Sequence, residues 1–66
     1  MKNIVKVQRA ILDITQEELA KKIGVSRQTI NSIEKNRYVP STVLALKLSQ
    51  VFGLPVNEFF SLTEED

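Results

Sequence analysis

The sequence contains no cysteine, no histidine and no tryptophan. Without cysteine, neither a disulfide nor a thiolate metal site can hold a short chain together, so stability has to come from an apolar core or a partner chain. Without histidine and cysteine, the commonest general base, the commonest transition-metal ligand and the best thiol nucleophile are missing together. No catalytic residue, metal or other cofactor is expected, and 66 residues leave little room for a substrate pocket. Long apolar runs are absent too. None approaches the roughly 18 residues of a membrane span, and the opening Met1-Lys2-Asn3 lacks a signal peptide's apolar segment. The expectation is a cytoplasmic protein with no membrane partner.

What is present is an ordinary globular mixture, 42% apolar and 26% charged. One domain over residues 1–66 is expected, with 61–66 as a frayed tail. The net charge of +1 hides an uneven distribution. Residues 1–38 hold eight bases and four acids (+4), while 39–66 hold Lys47 against Glu58, Glu64, Glu65 and Asp66 (−3). Such asymmetry suggests a basic face toward a polyanion, although two merely solvated faces explain it equally well.

The punctuation marks helices throughout. A first helix is expected over Asn3 to Leu12, with Ile4, Val7 and Ile11 as its buried stripe. Thr15 followed by Glu18 is a capping-box pattern and opens a second helix, Gln16 to Ile23, burying Leu19, Ala20 and Ile23. Gly24 stops it, because a helix end often needs a positive φ. Ser26 caps a third helix, Arg27 to Lys35, and Asn36 suits its left-handed end. After Pro40, Ser41 caps a fourth helix, Thr42 to Phe52, which is apolar almost all round and is expected to be the most buried element. Gly53 ends it. A short fifth helix, Val56 to Phe60, follows Pro55. The fold class predicted is all-α, with five helices.

Three residues, Gly24-Val25-Ser26, separate the second and third helices, which is helix-turn-helix spacing. At about 100° per residue, with Arg27 at zero, Ile30 and Ile33 fall near 300° and 240°. The opposite arc, roughly 0° to 140°, holds Arg27, Gln28, Asn31, Ser32 and Lys35, all hydrogen-bonding or cationic and none acidic. A face of this chemistry suits the major groove. Arg27 can fork onto guanine O6 and N7, and Gln28 or Asn31 can pair bidentately with adenine N6 and N7.

The ordered set Thr15-Gln16-Glu17-Glu18-Leu19-Ala20, Gly24-Val25-Ser26-Arg27-Gln28-Thr29-Ile30, Ile33-Glu34-Lys35 and Pro40-Ser41 resembles the lambda-repressor-like, Xre-type DNA-binding family, in particular its small stand-alone members. The resemblance covers about residues 4–60. It implies base contacts from Ser26, Arg27, Gln28 and Asn31. Phosphate contacts are expected from Gln16, Ser32, Lys35, Asn36, Arg37 and Tyr38, with Tyr38 equally readable as a small core plug. It also implies an ion pair between Arg9 and Glu34, and a two-fold dimer interface at Val56, Phe59 and Phe60. The alternative for the two phenylalanines is completion of a monomer's core. Leu62 can pair with Met1 or Lys2 as a small ribbon, as in some relatives.

The function implied is a sequence-specific regulator, a repressor, bound as a homodimer to a palindromic double-stranded operator. The alternative is a protein-interaction module of the antitoxin or anti-regulator kind, with a partner protein.

Overall fold

A hydroxyl begins each helix from the second onward. In the computed structural model, which describes residues 1–66, Thr15, Ser26 and Ser41 each accept a hydrogen bond from the backbone N–H three residues on, at 3.0–3.2 Å. Each satisfies one of the donors that a helix start leaves without a partner. The helices they open are α2 (Gln16–Ile23), α3 (Arg27–Glu34) and α4 (Thr42–Phe52). At α2 the box closes both ways, since Thr15 N–H also donates to Glu18 Oε1 at 3.0 Å. That bond holds the Glu18 carboxyl below the usual carboxylate range. Gly24 and Gly53 end α2 and α4 with φ of 75° and 67°, and Asn36 takes φ 59° just past α3. These boundaries follow the sequence signals, except that α3 stops one residue early, with Lys35 as its cap.

The ends of the chain depart from expectation. The first helix, α1, spans only Val5–Ile11, and its buried residue is Val5. The stripe of Ile4, Val7 and Ile11 lies outside, with Ile11 69% exposed. Those residues do share a face, but a seven-residue helix anchored through Val5 and Arg9 turns that face to solvent.

The fifth α-helix is replaced by one 3-10 turn, Val56–Glu58, and a strand. The two-residue strands β1 (Lys2–Asn3) and β2 (Phe60–Ser61) pair antiparallel, Lys2 opposite Ser61 and Asn3 opposite Phe60. The small ribbon therefore forms one residue earlier than Leu62. The fold is four α-helices, a 3-10 turn and a two-stranded ribbon rather than five helices. The tail is hooked back: Asp66 pairs with the Met1 amine at 3.0 Å and accepts from Thr63 N–H.

The core is Val5, Leu19, Ala20, Ile23, Ile30, Ile33, Leu48, Phe59 and Phe60. It belongs mainly to α2 and α3, not to α4, of which only Leu48 is fully buried. Apolar residues circle α4, but a chain of this size can cover one side only. Val43 and Leu46 remain at the surface. Phe59 and Phe60 are 1% and 6% exposed in the single chain. Their rings pack together at 5.1 Å, and Phe59 meets Phe52 edge-on at 5.0 Å. They complete the monomer's core, so of the three residues expected at a dimer interface only Val56 keeps a partly open side chain.

Candidate nucleic-acid interface

The turn between α2 and α3 is rigid at both ends. Gly24 takes its left-handed conformation, Val25 N–H bonds back to the Ala20 carbonyl at 3.0 Å, and Ser26 caps α3. Ile30 and Ile33 are sealed against α2 and the rest of the core. With those two turned inward, helical geometry sends Arg27, Gln28, Asn31 and Ser32 outward. Arg27 and Gln28 are exposed, while Asn31 and Ser32 are half-buried. The one acid of α3, Glu34, is drawn under the surface by Arg9. Arg9 Nε lies 2.8 Å from Glu34 Oε2, with 16% and 6% of the two side chains exposed. Arg9 also donates to the Ile14 carbonyl at 3.0 Å, so the expected ion pair ties α1 both to α3 and to the start of α2. The outward face is consequently free of carboxylate.

Beside that face lies a shallow cup of about 360 Å³ lined by Ser26, Gln28, Thr29, Ser32, Arg37 and Tyr38. Tyr38 is exposed at its rim rather than plugging the core. Lys35, Asn36 and Arg37 are exposed along the same loop. The expected groups are thus brought together, with three refinements. Ser26 spends its hydroxyl on the cap and on a 3.0 Å contact with Thr29 Oγ1. Gln16 turns its amide nitrogen inward, to Asn31 Oδ1 at 3.3 Å and Glu34 Oε1 at 3.1 Å. What it retains for an anion is the backbone N–H at the start of α2, which lacks an intrahelical acceptor. Asn36 Oδ1 accepts from Asn3 Nδ2 at 2.7 Å, so one edge of its amide is pinned.

Asn3 is the residue that sequence reasoning missed. Its Oδ1 accepts from Val5 N–H, two residues on, while its Nδ2 also donates to the Ile33 carbonyl. One amide therefore fastens the first strand to the end of α3 and to the loop behind it. An asparagine bonding the backbone two residues on is a readable turn signal. Its reach to residues thirty places on is not.

A helix-turn-helix profile matches residues 5–59, nearly the whole chain. The chain belongs to the Xre-type helix-turn-helix family. This helix-turn-helix protein is 48% identical over 66 residues to an HTH-type transcriptional regulator of Methanocaldococcus jannaschii, covering all of both chains. It is 47% identical to a second regulator of that description from Bacillus subtilis, again end to end. It is also similar to the cryptic phage CTXphi transcriptional repressor RstR of Vibrio cholerae, at 36% over 52 residues, 79% of this chain and 47% of that one. No helix is long and apolar enough to cross a membrane.

Proposed function

We propose that this protein is a DNA-binding transcriptional regulator that lays α3 in the major groove of an operator and represses by occluding it. The observation that carries the reading is the outward face of α3. Its exposed groups are the Arg27 guanidinium and the Gln28 amide, with Asn31 and Ser32 half-buried beside them, and its one carboxylate is held beneath by Arg9. Such a face matches the donors and acceptors of base edges and does not repel phosphate. Lys35, Asn36, Arg37 and Tyr38 stand where a phosphate strand would pass once α3 is seated, with Ser32 at the cup's inner wall. The full-length relatives named as transcriptional regulators, and the phage protein named as a repressor, agree with this reading. A DNA-bound regulator acts in the cytoplasm of a prokaryotic or phage-infected cell.

The chain measures 32 × 22 × 20 Å, so one copy covers one half-site, and a palindrome about 34 Å between half-sites calls for two. A homodimer would use the apolar groove formed by Met1, Val39, Pro40, Leu46 and Val56 over the edge of Phe60. Val56 is retained from the sequence expectation, while Phe59 is sealed behind it. The same groove is what favours the second reading, a module that docks a partner protein.

Arg27→Ala and Gln28→Ala separate the two. Each is expected to lose about 1–3 kcal/mol of discrimination between operator and unrelated duplex in a mobility-shift assay, with non-specific affinity changed far less. Unchanged operator preference in both variants would reject base reading by α3.

A further inference from the structure

Asn36 and Asn3 stand 33 residues apart in sequence, yet the surroundings of Asn3 fix which way the Asn36 amide is turned. Asn3 is anchored at both ends by main-chain atoms that allow only one orientation. Its Oδ1 lies 3.1 Å from Val5 N–H, which only donates, and its Nδ2 lies 2.9 Å from the Ile33 carbonyl, which only accepts. The flip of that amide, usually ambiguous, is therefore settled. Strand pairing opposite Phe60 holds the backbone behind it. Nδ2 carries two hydrogens, and the second meets Asn36 at 2.7 Å. The atom of Asn36 that receives it must be an acceptor, so Oδ1 faces Asn3. The Asn36 backbone is tied as well. Its N–H donates to the Ile33 carbonyl at 3.0 Å, and the next N–H, of Arg37, donates to the Ser32 carbonyl at 2.9 Å. The end left over is Asn36 Nδ2, on an exposed side chain between Lys35 and Arg37, with no partner within the protein.

Which end is left over matters because a phosphate oxygen only accepts. An amide that offers Nδ2 binds it, and the same amide turned over sets Oδ1 against it. Given a loop that tracks the DNA backbone, we infer that Asn3 is a positioning residue for DNA binding: it holds Asn36 as a donor to a phosphate. The contact is uncharged and touches no base edge. It therefore adds affinity on every sequence alike, and adds nothing to the salt dependence that Lys35 and Arg37 supply.

A double-mutant cycle tests this, read by fluorescence anisotropy over a salt series. The probes are an operator selected from random duplex DNA and an unrelated duplex, with the folding of each variant checked by circular dichroism. Asn36→Gly removes the amide and suits the left-handed backbone, φ 59°, at that position. Asn3→Asp keeps the acceptor for Val5 N–H and loses both donors, so Asn36 must turn Nδ2 inward and Oδ1 outward. Each single variant is expected to weaken binding to both duplexes by about tenfold or more per half-site, the effect of one hydrogen bond to a charged group. The Asn36→Gly salt slope is expected to match wild type. Added to Asn36→Gly, Asn3→Asp should cost about tenfold less per half-site than it does alone, its new charge acting equally in both backgrounds.

An equal cost of Asn3→Asp in both backgrounds overturns the inference. So does wild-type affinity in Asn36→Gly while Arg37→Ala still weakens binding. If Arg37→Ala also binds as wild type, the loop does not track the backbone, and that reading fails first. Should Asn3→Asp not fold, Asn3→Ala enters the same cycle; it releases Asn36 instead of inverting it, and its cost should again shrink beside Asn36→Gly. NMR of the wild type needs no variant. The Asn3 side-chain amide should exchange slowly and that of Asn36 fast, with the Asn36 signals shifting and slowing when duplex is added. Asn36 signals unmoved by saturating duplex contradict the inference.

Discussion

Phe59→Ala is expected to lower the unfolding free energy by about 3–5 kcal/mol, the range for deleting a buried phenylalanine. Phe59 is 1% exposed and is held edge-on by Phe52 and face-tilted by Phe60. Its carbonyl also accepts the Ile4 N–H at 3.0 Å, so the residue joins the end of the chain to the start of α1. The buried core has only nine side chains, and a domain this small has little stability in reserve. For 60–100 residues, each kcal/mol moves the melting temperature by about 4–8 °C. A thermal melt followed by circular dichroism is therefore expected to fall by at least about 12 °C, or to show an unfolded chain.

The same experiment settles which role the residue plays. A core phenylalanine destabilises the protein at every concentration, whereas an interface residue would leave the monomer's melt intact and shift only association. Ile11→Ala, on the exposed stripe of α1, serves as the control and is expected to change stability by no more than about 0.5 kcal/mol.

Operator affinity is expected to fall about 10²-fold between 50 and 200 mM salt. Lys35 and Arg37 are exposed along the loop beside the α3 face, which gives about four cations against phosphate in two copies, Arg27 being turned to the bases. Each phosphate neutralised contributes about −0.9 to the slope of log affinity against log salt, so the slope should lie near −4. Arg37→Ala removes two cations per dimer and should flatten it by about 2, while leaving the selected sequence unchanged. Fluorescence anisotropy with labelled duplex over a salt series measures both. A slope near zero would mean that the basic loop does not track the backbone.

Helices α2, α3 and α4 were legible because their signals are local: a hydroxyl cap, an apolar pattern, and a glycine or asparagine at the end. The outward face of α3 was legible for the same reason. What failed depended on what lies across the fold. Ile4, Val7 and Ile11 form a regular stripe, yet periodicity cannot say whether a stripe meets a neighbour or water. Phe59 and Phe60 read as surplus apolar area, because nothing local shows that a two-stranded ribbon folds them back over α4. The Arg9–Glu34 pair was reached through family resemblance. Its continuation through Gln16 to Asn31 required three elements to be placed together.

Methylation interference on the selected operator tests the central claim most directly, because methyl groups at guanine N7 project into the major groove and those at adenine N3 into the minor groove. With α3 seated among the base edges, duplexes methylated at guanine N7 within each half-site should be depleted from the bound fraction. Duplexes methylated at adenine N3 there should be retained, and Arg27→Ala should relieve the depletion at one guanine per half-site. Depletion confined to adenine N3, or a guanine pattern that Arg27→Ala leaves intact, would contradict it.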